Sequence, residues 1–288
     1  MTAGDIKIRT GDHGDQFSGV VANGAGDYIQ IDSLAVAEAA AANVVGTISG
    51  WINVPNITGT FALLALGCNA QNEYIQFSIK AGKLNIVNRD QAGAHYDVVS
   101  TTATVTPHKW HHICVVHTGG AIVGRPFLYL DGVAVAMTDT TSTDLTAWTD
   151  TLPQVDKGCI GALNKQAAIS LDYLGGISYV KYATGIAASG ADWTAAQVKQ
   201  EYDYRAGKGS ATGVTTGVVA RWELNGAVSN TANPGTYDGT IVSDVQYDSE
   251  YSNMTSKLRL LAPVVADNTV IVPHGMDGGY TAVVVKAA

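Results

Sequence analysis

Four histidines fall close together, at His108, His111, His112 and His117. Imidazole is the commonest metal ligand, and a metal needs at least three ligands converging on one point. On a strand successive side chains alternate, so His111 and His117 face one way. His112 faces the other way with Trp110 and Cys114. No single face offers three ligands, and the pattern predicts an outward pair, His111 and His117, with His112 at the edge of the core. Retaining glycoside hydrolysis needs two carboxyls ~5–5.5 Å apart, which a strand supplies as E-x-D-x-E. The five glutamates are Glu38, Glu73, Glu201, Glu223 and Glu250, and none has that spacing on a strand. Glu201 and Asp203 lie in a stretch that reads as helix, where residues two apart do not share a face.

Calcium takes carboxylates and carbonyl oxygens from loops. Loop acids are plentiful (Asp12, Asp15, Asp27, Asp90, Asp97, Asp156, Asp238), but none forms a D-x-D-x-D loop. A sugar ring is held by an exposed aromatic side chain. Of the five tryptophans, Trp148 sits in the long polar stretch Asp144–Asp150 and is the candidate glycan contact. No G-x-G-x-x-G follows a strand, and neither a Walker A motif nor G-x-S-x-G is present.

Composition narrows the classes further. The chain has 288 residues, 46% hydrophobic and only 15% charged, with 32 glycines. Soluble domains usually carry ~25% charged residues, so Thr, Ser, Asn, Gln and Ala must cover this surface. The apolar content excludes disorder, and no run reaches the ~18 residues of a membrane helix. A net charge of −8 without a basic block argues against nucleic acid as a partner. The first residues lack the basic and apolar regions of a signal peptide, so synthesis in a cytosol without export is expected. Cys68, Cys114 and Cys159 each stand in an apolar stretch and read as buried, reduced thiols.

Short β runs separated by Gly, Asn, Asp and Pro dominate the chain. Several alternate with period two, as in Tyr74–Ile79, which marks antiparallel sheets with one buried face. Asp131-Gly132 between two apolar runs demands a type I′ hairpin turn joining Phe127–Leu130 to Val133–Met137. Helix signals are few. Thr194–Ala206 has capping-box spacing at Thr194 and Gln197, with Ala195, Val198 and Tyr202 on one face. A second stretch, Leu34–Ala42, has alanine propensity and Ser33 as N-cap, and reads equally as a small-residue loop.

The ordered set of motifs resembles the laminin-G-like branch of the concanavalin-A-like jelly rolls over roughly residues 17–250. The residues that carry it are Gly26–Ile31, Ile48–Ile52 with one inward Trp, Trp110–Val116, the Leu128–Gly132 hairpin, Tyr173–Val180, the helix at 194–206, Val219–Leu224 and Tyr237–Thr240. The resemblance implies an all-β, antiparallel jelly-roll sandwich with one short surface helix and small terminal β extensions. It places Trp51, Trp110 and Trp222 at core positions. It implies one calcium ion at the sandwich rim in some members, without assigning ligands here, and no other cofactor.

The expected organisation is an N-terminal arm at 1–16, the sandwich at 17–254 and a β-hairpin extension at 255–288. That extension contains Asn268–Val272 and Tyr280–Val285, joined by a glycine-rich turn. It is similar to short β elements of bacteriophage tail, fibre and capsid-accessory proteins. An apolar hairpin this small is marginal alone, so packing on the sandwich or on another chain is expected.

The leading expectation is therefore a non-enzymatic bacteriophage virion component, made in the host cytoplasm. Its partners would be other virion proteins, further copies of itself and a cell-surface glycan, with no membrane insertion. The alternative is a carbohydrate-binding lectin-like module of a microbial surface or secreted system. A glycoside hydrolase is the remote third reading.

Overall fold

The structure, a computed structural model, describes residues 20–247 except 24–25, 42, 120–123, 187–188, 209, 226 and 244–245, together with 269–273 and 280–284. In chain order the elements are β1 (Val20–Asn23), β2 (Tyr28–Gln30), α1 (Asp32–Ala40), β3 (Val45–Asn53), β4 (Thr60–Gly67), β5 (Tyr74–Lys80), β6 (Lys83–Arg89) and β7 (Ala94–Thr104). They continue with β8 (Trp110–Thr118), β9 (Arg125–Leu130), β10 (Val133–Ala134), β11 (Met137–Ser142), β12 (Lys157–Ile160), β13 (Leu163–Lys165), β14 (Ala168–Ser170) and β15 (Leu174–Gly185). The last are α2 (Ala195–Arg205), β16 (Val218–Trp222), β17 (Thr240–Val242), β18 (Gln246–Tyr247), β19 (Thr269–Pro273) and β20 (Tyr280–Val284).

Two eight-stranded antiparallel sheets carry the fold. The first runs β10-β9-β8-β3-β15-β1-β18, with β16 also paired to β15. The second runs β11-β7-β6-β5-β4-β12-β2-β17. The period-two runs explain the layering. Ile75, Phe77 and Ile79 on β5, Leu84 and Ile86 on β6, and Tyr96 and Val98 on β7 meet Ile48 and Ile52, Ile113 and Val115, and Ile177, Val180 and Tyr182 from the first sheet in one core. The expected all-β jelly-roll sandwich is what forms.

The Asp131-Gly132 turn has both residues at positive φ, 50° and 78°, as a type I′ hairpin requires. The run after it does not stay in one sheet. Val133–Ala134 pairs with β9, but Met137–Ser142 pairs with β7 in the opposite sheet, so the expected strand Val133–Met137 is broken where the chain crosses over. The expected helix at 194–206 forms as α2, with both halves of the capping box between Thr194 and Gln197. It lies on the outer face of the first sheet, where Tyr202 stacks on Trp51 at 5.6 Å. The other helix starts at Asp32 rather than after Ser33, and its N-cap, Ile31, makes no side-chain cap. The C-terminal extension pairs as an antiparallel hairpin, β19 with β20. The N-terminal arm at 1–16 lies outside the described residues.

Candidate functional site

The second sheet presents two faces, and only one is filled by the partner sheet. Cross-strand partners share a face, so register alone lists the residues on the other one. One row crosses all eight strands: Thr240, Gln30, Cys159, Ala65, Gln76, Val87, Asp97 and Thr141. A second row beside it holds Lys157, Gly67, Tyr74 and Arg89. With strands ~4.8 Å apart, the two glutamines of the first row stand about 14 Å from each other. Between them are Cys159 and Ala65, small side chains each 1% exposed. The β13–β14 hairpin folds over the sheet and walls one side, because its Asn164 carbonyl occupies the space a side chain at Gly67 would need.

The polar groups on this face are poised for hydrogen bonding. Gln76 is 6% exposed, yet its carboxamide makes no hydrogen bond to a described residue. Lys165 Nζ sits 4.7 Å from the centroid of the Tyr74 ring and donates to Asn72 Oδ1 at 2.8 Å. Lys157 pairs with Asp32 at 3.0 Å, and Gln30 donates to the same carboxylate. Burial raises the Tyr74 and Tyr28 phenols above their ordinary values, so both stay protonated donors.

The outer face of the first sheet is closed by α2. Below it Lys181 and Glu201 form an ion pair at 2.7 Å, and Val214 contributes a carbonyl to the lysine and an N–H to the carboxylate. Ser49 Oγ and His112 Nε2 are 2.8 Å apart, the spacing of a nucleophile and its base. Both are buried, and the carboxylate that would orient such a histidine is elsewhere. Asp131 takes the His112 backbone N–H and the His111 ring instead. Burial drives His112 down to about 4, so its imidazole is neutral.

The clustered histidines are thus dispersed. His111 and His117 share a face, as alternation predicts, but it is not an outward one: they are 4% and 0% exposed. Thr106 N–H donates to His111 Nε2 at 3.0 Å, which leaves Nδ1–H to donate to Asp131. Both His117 nitrogens face carbonyls, of Val44 and Leu145. Among the described residues no group of three or more His, Cys, Asp or Glu side chains could hold a metal ion. The loop acids serve local roles: Asp90 caps Ala92 and Gly93, Asp156 accepts from Asn69, and Asp238 accepts from Asn230. Asp12 and Asp15 lie outside the described residues. Cys68, Cys114 and Cys159 are free, buried thiols.

Trp148 requires correction as a glycan contact, for its side chain is 0% exposed. The polar residues of its loop fold it inward. Asp144 accepts from Thr146, and Asp150 accepts from the Trp148 N–H at 3.0 Å. The indole then stacks on His117 with centroids 5.1 Å apart. Residues such as Gln76, Tyr74 and Arg89 escape notice in the sequence because they are ordinary polar members of alternating strands. The signal for them is register across the sheet, which appears only once the strands are paired. None of the described glutamates lies on this face. Glu38 accepts from Thr149, Tyr182, Thr184 and Asn43, and Glu73 from the Gln154 N–H.

Several solved structures are similar to the chain. The Ruminococcus gnavus IT-sialidase CBM40, bound to α2,3-sialyllactose, is 15% identical with a TM-score of 0.46, over 57% of this chain and 89% of that one. The K499G mutant of NanB sialidase from Streptococcus pneumoniae is 17% identical with a TM-score of 0.48, over 59% of this chain and 26% of that one. The heptameric SAP-like pentraxin from Limulus polyphemus is 12% identical with a TM-score of 0.49, over 81% and 94%. No curated protein matches the sequence. The Laminin_G_3 family model matches residues 23–168, and with that match, on a sandwich of two antiparallel sheets, the chain belongs to the concanavalin A-like lectin/glucanases superfamily.

Proposed function

We propose that the protein is a carbohydrate-binding, lectin-like module that takes its ligand on the face of the second sheet turned away from the partner sheet, beside the β13–β14 hairpin. The observation that carries this is the row Gln30–Cys159–Ala65–Gln76, two small residues flanked by two carboxamides on one face. A sugar presents hydroxyls that both donate and accept, and a carboxamide does the same. Tyr74 adds a ring for an apolar sugar face and a hydroxyl at its rim. The described glutamates are all engaged elsewhere, which supports a binding role rather than hydrolysis. Superfamily membership favours this reading over the virion component expected from sequence, a setting on which no comparison bears.

A glycan array followed by calorimetric titration of the full chain tests the proposal. Binding is expected, with Gln76→Ala and Tyr74→Ala each weakening it about tenfold at an unchanged melting temperature. Failure to bind any glycan, or full binding by both variants, overturns it.

A further inference from the structure

Two cations frame one ring on the candidate face. Arg89 is the direct cross-strand partner of Tyr74, and Lys165 Nζ lies over the same ring at 4.7 Å. The two are close enough that the Lys165 ammonium is held below its ordinary value, first by burial and then by Arg89. Neither has an ion-pair partner among the described residues. Lys165 uses one N–H on Asn72 Oδ1, and Arg89 Nε is buried without a partner.

The acids nearby are committed to other groups. Asp97 pairs with Lys80 at 3.5 Å and accepts from Asn85 at 2.6 Å. Glu73 accepts from Gln154 N–H at 2.8 Å. Asp90 caps a turn and faces His95 at 3.4 Å. Two like charges held side by side disfavour each other unless an anion offsets them. That this chain, at net charge −8, leaves such a pair uncompensated beside an aromatic ring needs a reason.

We infer that Arg89 and Lys165 receive the anionic group, carboxylate or sulfate, of an acidic sugar whose body lies on Tyr74 and Gln76. Arg offers a planar fork of donors matched to an oxyanion, and Lys adds a point charge beside it, over the Tyr74 ring. This rests on the carbohydrate-binding reading above and names its ligand class.

The test is an array carrying matched neutral, carboxylated and sulfated members of each glycan type, probed with the full chain and with Arg89→Gln and Lys165→Gln. The acidic members are expected to bind better than their neutral counterparts. Each substitution should cost about tenfold on the acidic member and less than twofold on the neutral one, with melting temperatures unchanged. Preference for the carboxylated or for the sulfated arm assigns the anion. Neutral and acidic members bound alike, or a preference that survives both substitutions, overturns the inference and leaves the carbohydrate-binding reading standing. No binding to any member overturns both.

Discussion

Gly46 lies directly beneath the indole of Trp148. A side-chain carbon built on Gly46 would meet Cε2 of that ring at 2.5 Å, far inside van der Waals contact. The indole therefore seals the sandwich edge against the β3 backbone, and a glycine is required below it.

Trp148→Ala should behave as a core truncation. Removing a fully buried tryptophan typically costs about 3–5 kcal/mol, and a loss of unfolding free energy of about that size is expected. Gly46→Ala should also destabilise, because the indole it would strike is packed on His117 and cannot retreat. Chemical denaturation of both variants checks this. Glycan affinity measured on the folded fraction should not change, and a selective loss of affinity in Trp148→Ala with normal stability would contradict the buried placement.

The contrast between Trp148 and the Asp131-Gly132 turn shows what a linear sequence can reveal here. The turn is a local event: two residues with positive φ, spelled by one of the few pairs that adopt it cheaply. The capping box at Thr194 is local in the same sense. The fate of Trp148 depends on Gly46 and His117, distant in sequence, and polar loop composition pointed the wrong way. The same holds for β11, whose partner strand lies in the opposite sheet from that of β10. The candidate face is the extreme case. Gln30 and Gln76 share a row only through the pairing of β2, β12, β4 and β5, and neither residue type announces it.

Lys181 and Glu201, each 1% exposed, join α2 to the first sheet. Taking both charges from water is costly, and their attraction offsets this only while both are present. Glu201→Leu should therefore destabilise by about 3–5 kcal/mol, since it strands a buried ammonium. The double variant Lys181→Met, Glu201→Leu should recover most of that loss. A double-mutant cycle in urea measures it. If the double variant is as unstable as the two single losses added together, the pair does not act as a unit.

His112 predicts how stability responds to acid. Burial lowers it from 6.5 to about 4, so the folded protein binds its proton later than the unfolded chain does. Between those values the unfolded state holds more protons, and stability must fall as pH falls. The contribution is complete above 6.5 and is lost progressively toward 4, amounting to about 3 kcal/mol at ~1.4 kcal/mol per pH unit. His117 is also lowered by burial and adds a loss of the same sign. Asp131 is held below its ordinary 3.8, so its own contribution is lost only at lower pH. Urea midpoints compared from neutral pH down to about 4.5 should drop for the native chain and drop less for His112→Gln, which keeps a donor for Ser49. Equal drops in the two proteins would mean that His112 is not the group whose protonation lowers the stability.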